Sequence, residues 1–123
     1  MTKQEKAQWI ADCAETIANH YRVAPTALFD VHASHSHAVQ NARNVLIFHL
    51  YRNGMSYNSI GRVVKRSVDY VRRGEKRGAA RLLSPDKWMI GKLPSAELVA
   101  TNAGGMARGL AAQDSDNTIE IDG

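Results

Sequence analysis

Arginine and lysine are crowded into one stretch of this chain. Residues 43–81 hold Arg43, Arg52, Arg62, Lys65, Arg66, Arg72, Arg73, Lys76, Arg77 and Arg81 against only Asp69 and Glu75, a net +8 within 123 residues whose total is +4. The flanks are mildly acidic, at −1 over residues 1–42 and −3 over residues 82–123. Eight of the ten cations are arginine, whose planar fork matches phosphate oxygens and guanine edges better than an ammonium does. Such a concentration points to a polyanion as partner. The plainer reading of the same charge is a solvated face that keeps the protein soluble.

Other chemistry has less to build on. His32, His35 and His37 could in principle gather with Cys13 around zinc, because imidazole and thiolate are its preferred ligands. Histidines in a loop beside a nucleic acid are the simpler reading, adding positive charge near pH 6, so no metal and no cofactor is expected. Cys13 and His20 share a helical face, but that face carries an apolar stripe, and a buried thiol is its ordinary explanation. No catalytic residue is expected, and the chain reads as a non-enzyme. The run Gly104-Gly105-Met-Ala-Arg-Gly109 reads as a flexible link, since no strand or helix start accompanies it to cradle phosphate.

The elements that must carry the cations are helical. Trp9, Ile10, Cys13, Ala14, Ile17, Ala18 and Tyr21 recur as the stripe of an amphipathic helix over about 3–21. Pro25 suits a first helical position, and Thr26-Ala27-Leu28-Phe29 supplies one apolar turn that would close over that helix. Helical spacing resumes at Val39, Ala42, Val45, Leu46, His49 and Leu50, predicting a helix from about 37 to 52 that Asn53-Gly54 ends. Ser56 caps a short helix over 57–64, with Ile60 and Val64 inward and Gly61 small enough for close contact. Ser67 caps a further helix from Val68 to about Arg81, whose apolar contacts are Val71, Ala79 and Ala80 beside Gly74 and Gly78. Beyond Ser84-Pro85 the pattern breaks. Trp88-Met89-Ile90 and Leu93 are candidates to dock on the core, Pro94–Ala112 is a marginal helix, and the acidic residues 113–123 read as disordered. The reading is all-α, with a helical domain over 1–83 and an extension with a flexible tail over 84–123.

Two capped helices separated by so short a turn must cross steeply, as in a helix-turn-helix. Gly61 is the small residue of its first helix, Ile60 and Val64 are the apolar residues before the turn, and Val71 is the contact in the second. The second helix of such a unit presents its early residues to the major groove, which nominates Ser67, Asp69, Tyr70, Arg72 and Arg73. Tyr57, Asn58, Arg62, Lys65, Arg66, Lys76 and Arg77 complete the surface, and Arg43 is expected on a phosphate. Lys65 stands where a turn glycine is usual, and a left-handed lysine costs roughly 1–2 kcal/mol. Arg66 stands where many such motifs bury an aliphatic side chain. A tighter or altered turn is therefore expected.

In this arrangement the chain resembles the carboxy-terminal DNA-binding domain of the bacterial replication initiator DnaA, a helical module of the Trp-repressor-like class. Ile17-Ala18-Asn19-His20-Tyr21 through Leu28-Phe29 is similar to the family's opening helix and short apolar turn. Ala42-Arg43-Asn44 with Val45–Leu50 is similar to its Ala-Arg-x-Arg-Gln helix start, and Ser56-Tyr-Asn-Ser-Ile-Gly-Arg62 to its Ser-x-x-Glu-Ile-Gly-Arg. These pieces span about residues 14–77. The family's Arg-Asp-His-Thr-Thr-Val run corresponds to Arg66-Ser67-Val68-Asp69-Tyr70-Val71, of which Arg66 and Val71 are retained, implying a helix in the same place with a different reading surface. His32, His35 and His37 stand in place of the family's arginine-rich loop. No Gly-x-x-x-x-Gly-Lys-Ser/Thr phosphate loop occurs, so ATP-driven melting is not expected. A stand-alone domain of this kind resembles a small regulator or accessory protein of a bacteriophage or other mobile element.

One cysteine excludes an internal disulfide framework, and the first residues lack the apolar run of an export signal, so a reducing cytoplasm is the expected compartment. No run approaches the roughly 20 apolar residues that cross a bilayer, so no membrane partner is expected. The expected partner is double-stranded DNA, bound by a transcriptional or replication regulator. The rivals are a phage-type adaptor or inhibitor whose basic helix grips an acidic host or phage protein, and a packaging adaptor whose tail assembles a ring. A dimer would show itself as paired half-sites about one helical turn apart.

Overall fold

Capping signals and apolar periodicity place the helices where the sequence predicts them. The computed structural model describes residues 2–31, 36–83 and 86–96. It contains four α-helices: α1 (Lys3–Tyr21), α2 (His37–Arg52), α3 (Tyr57–Val64) and α4 (Val68–Leu83). Short 3-10 segments follow α1 at Pro25–Phe29 and α4 at Lys87–Lys92. Among the described residues there is no strand, and no helix is long and apolar enough to cross a membrane.

Each helix starts where a side chain can satisfy free backbone donors. Thr2 accepts from the Glu5 amide while the Glu5 carboxylate accepts from the Thr2 amide, a reciprocal cap the helical stripe alone did not reveal. Ser36 accepts from the Val39 amide, Ser56 from that of Ser59, and Ser67 from that of Tyr70. Gly54, with φ 104°, carries the chain out of α2 in a backbone conformation that glycine alone adopts freely.

The core forms around α2, whose Val39, Ala42, Val45, Leu46, Ile47 and Leu50 are buried. Onto it pack Trp9, Cys13, Ala14, Ile17 and Ala18 of α1, Leu28, then Ile60 and Val64 of α3. The closest approach is between α2 and α4. A Cβ on Gly78 would lie 2.1 Å from the Asn44 carbonyl oxygen, and one on Gly74 would lie 2.9 Å from both Asn44 Oδ1 and Ile47 Cδ1. Two glycines one turn apart thus let α4 settle backbone against backbone on the central helix.

Two expectations about α4 are corrected by this seam. Ala80, expected to be a core contact, is exposed and Ala79 only half-buried, while Leu82 is buried on the line of Val71, Gly74 and Gly78. Met89 and Leu93, read from the sequence as candidates to dock, do belong to the core. Met89, Leu93 and Ala96 are buried, and the Pro94 carbonyl receives hydrogen bonds from Trp9 Nε1 at 2.9 Å and His49 Nε2 at 2.7 Å. Residues 86–96 are therefore a strap on the bundle, and the packing does not stop at residue 83. The side chains of Trp88 and Ile90, the rest of the marginal helix expected to Ala112 and the acidic residues 113–123 lie outside the described residues.

Candidate nucleic-acid interface

The face α4 turns outward is decided by the face it buries. At 3.6 residues per turn, Val71, Gly74, Gly78 and Leu82 fall on one line against α2. The opposite side carries Asp69, Arg72, Arg73, Lys76 and Arg77, all exposed. The strap docks beyond the other end of the helix, at Arg81, so no described segment covers these cations. Asn58, Arg62 and Lys65 add a second exposed edge from α3 and its turn.

The turn itself is the ordinary one, contrary to the expectation of an altered path. Lys65 adopts the left-handed conformation, φ 59° and ψ 46°, that a glycine would take without cost. What holds it there is close packing behind it. Gly61 accepts a hydrogen bond from the Arg66 amide, and a Cβ on Gly61 would lie 2.8 Å from the Arg66 carbonyl oxygen. Arg66 is half-buried, its guanidinium carbon 5.4 Å from the centre of the Tyr70 ring, and its Nε is buried with no hydrogen-bond partner. Beside it lies an open concavity of about 530 Å³, lined by Asn58, Gly61, Arg62, Lys65, Arg66, Ser67 and Val68. Three cations and the first turn of α4, whose amide dipoles favour negative charge, surround this hollow.

Arg72 is held in place by its neighbours. Its Nη1 donates to Asp69 Oδ1 at 2.9 Å, and its guanidinium carbon lies 5.5 Å from the centre of the Tyr57 ring. That ring is half-buried and stacked on Tyr51, centroids 4.7 Å apart and planes within 9°. The Tyr57 hydroxyl donates to Glu75 at 3.2 Å. Burial, then the neighbouring Tyr51 and Glu75, push this hydroxyl's pKa up to about 12, so it remains a donor across the physiological range. Tyr51 and Glu75 are parts of the surface that sequence reasoning missed. Their signal was the helical spacing that sets Glu75 one turn beyond Val71 and Arg72.

The chain matches no protein-family model, no curated protein and no solved structure.

Arg43 is the clear correction. Expected on a phosphate at the start of α2, it is 2% exposed, donating from Nε to the Leu28 carbonyl, from Nη2 to the Ala27 carbonyl and from Nη1 to the Tyr70 hydroxyl. It is a clamp between the Pro25–Phe29 turn, α2 and α4. Tyr70 is half-buried, and its hydroxyl accepts this bond from Arg43. Ser67 and Asp69 are exposed as expected, although the Ser67 hydroxyl is engaged as a cap.

Arg81 is likewise spoken for. Its Nε donates to Asp86 at 2.7 Å and to the Tyr21 hydroxyl at 3.1 Å, while Tyr21 itself donates to Asp86 at 2.5 Å. Burial works against the Asp86 charge, but hydrogen bonds from Tyr21, Arg81 and His20 outweigh it and hold the carboxyl below its ordinary pKa. Cys13 is fully buried, and burial pushes its thiol up to about 12, an inert group. Among the described residues no three potential metal ligands gather. His32 and His35 lie outside them.

Proposed function

We propose that this protein binds double-stranded DNA, laying α4 into the major groove, and acts as a regulator of transcription or replication. The observation that carries the reading is the outward face of α4. Four cations stand there within two turns, unburied, on a helix anchored along its whole inner side, with Arg62 and Lys65 flanking them. A helix of about 10–12 Å diameter with its side chains suits a groove about 12 Å wide. The resemblance of residues 14–77 to the initiator's DNA-binding domain supports the same choice of helix.

Phosphate neutralisation gives the reading a quantitative form. Six cations on six phosphates would make the logarithm of affinity fall against the logarithm of salt with a slope of about −5. The test is titration of a labelled random duplex with the intact protein and with Arg72→Ala combined with Arg73→Ala. The double variant should lose most duplex binding while its helicity is unchanged. Equal binding by the two proteins would remove α4 from the interface.

One observation favours a second reading. With Arg43 sealed inside, one expected phosphate contact is lost, and with the Tyr70 hydroxyl engaged by Arg43, one early group of α4 is occupied. A protein that kept the fold and grips an acidic protein surface would have the same cationic face. It would show no gel shift on random duplex at low salt, and would recover one stoichiometric protein from nuclease-treated lysate.

A further inference from the structure

We infer that Arg72 reads a guanine from the major groove, with Asp69 and Tyr57 as its positioning residues; this rests on the DNA-binding reading above. A face that only neutralises phosphate has no use for a carboxylate in its midst, because an acid repels the ligand. Asp69 nevertheless sits there, 74% exposed by side chain, with its Oδ1 on Arg72 Nη1. An exposed pair of this kind contributes little to folding, and although the first turn of α4 favours a carboxylate at Asp69, that interaction does not require its contact with Arg72. Its effect is to restrict one guanidinium.

Asp69 acts together with the ring of Tyr57, over which the Arg72 guanidinium lies, and that ring is fixed by stacking on Tyr51 and by its bond to Glu75. The side chains of Arg73, Lys76 and Arg77 have no hydrogen bond or ion pair to a described residue. The same face therefore carries one oriented arginine and three loose cations. Loose cations suit phosphates, which need charge more than direction. An oriented fork suits the O6 and N7 acceptors of guanine, which need two parallel donors at fixed spacing. Arginine has five such donors, one of which is engaged by Asp69. Holding it beforehand reduces the side-chain freedom lost on binding. Asp69 and Arg72 are the second and fifth residues of α4, within the early turns that approach base edges in a helix-turn-helix.

The test is selection of duplexes from a random pool by the intact protein, followed by binding of the selected site and of a random duplex to three variants. One guanine should be invariant in the selected pool, and replacing it by 7-deazaguanine should cost about 10-fold or more in affinity. Arg72→Lys keeps the charge but loses the fork; it should bind random duplex within about 3-fold of the parent yet lose the preference for that guanine. Asp69→Asn should shift the two readouts in opposite directions, binding random duplex more tightly and discriminating less, which a merely structural role would not do. Tyr57→Leu, checked for retained helicity, should follow Arg72→Lys. A selected pool without an invariant guanine, or a preference that survives Arg72→Lys, overturns the assignment of Arg72 while duplex binding stands. Failure of the parent to bind any duplex overturns both.

Discussion

The two ends of α4 use the same residue type in opposite ways. Towards its carboxyl end Arg81 is tied to Asp86 and Tyr21, and the strap that follows is tied down through Pro94 to Trp9 and His49. Along its first three turns Arg72, Arg73, Lys76 and Arg77 project into solvent. Arg43, on the neighbouring helix, behaves like Arg81. The difference is whether fixed acceptors lie within reach. Two main-chain carbonyls and a hydroxyl surround Arg43, and a carboxylate and a phenol meet Arg81; Arg73, Lys76 and Arg77 face water, and Arg72 gives one donor to an exposed carboxylate and keeps the others. An arginine whose donors are taken up by buried acceptors holds the fold together, and one that keeps donors free at the surface is available to a ligand.

The largest expected effect separates the two ends by pH. His49 is fully buried; its Nδ1 accepts from Arg52 while its Nε2 donates to Pro94, so the neutral ring is the form that fits. Burial, reinforced by the nearby Arg52 charge and opposed by the Pro94 bond, lowers its pKa from 6.5 to about 4. A histidine with a depressed folded-state pKa stabilises the fold fully above its unfolded value and loses that contribution as the pH falls. Stability should therefore drop from about pH 6.5 down to about pH 4, by about 3 kcal/mol. Asp86, also held below its ordinary pKa, should add to the loss at still lower pH. Thermal melts across this range check it, and a flat profile between pH 7 and pH 4 would break the account of the strapped end.

A smaller effect tests the partnered arginine directly. Arg43→Met fills much of the volume but leaves the carbonyls of Ala27 and Leu28 without their donor. The variant should be less stable by about 2 kcal/mol, with a Tm lower by roughly 10 °C. The salt slope of duplex binding, measured below that Tm, should be unchanged. A slope shallower by about 0.9 would instead return Arg43 to a phosphate.

The smallest effect has the opposite sign. Lys65→Gly removes a side chain from a left-handed residue and should raise stability by about 1 kcal/mol, read as a Tm higher by several degrees. A lower Tm would mean that the lysine side chain contributes more than its backbone conformation costs.

Much of this architecture was legible before any coordinates. The helices over 3–21, 37–52 and 57–64 and the caps at Ser56 and Ser67 all follow from interactions among residues three or four apart. A serine that satisfies a free amide, or an apolar stripe of period 3.6, is complete within its own stretch of chain. The left-handed turn at Lys65 was not legible, because local preference argues against it and only packing of Gly61 against the Arg66 carbonyl imposes it. The strap was legible in part: Met89 and Leu93 stood out as apolar residues able to dock, but its path was not, because the chain loses periodicity after Ser84-Pro85 and is secured by partners 45 to 85 residues away.

The cationic content of residues 43–81 was likewise written into the amino-acid order, and with it the choice of a polyanion as the candidate partner. Which cations face that partner was not. Arg43 and Arg72 look equivalent in a list of residues, yet Arg43 meets acceptors from segments 15, 16 and 27 positions away. Arg72 meets Asp69 one turn earlier and the ring of Tyr57 from the preceding helix. Helix formation is a short-range equilibrium and can be read locally. The burial of a charge depends on acceptors that distant parts of the chain deliver together, so it is settled only when the bundle closes.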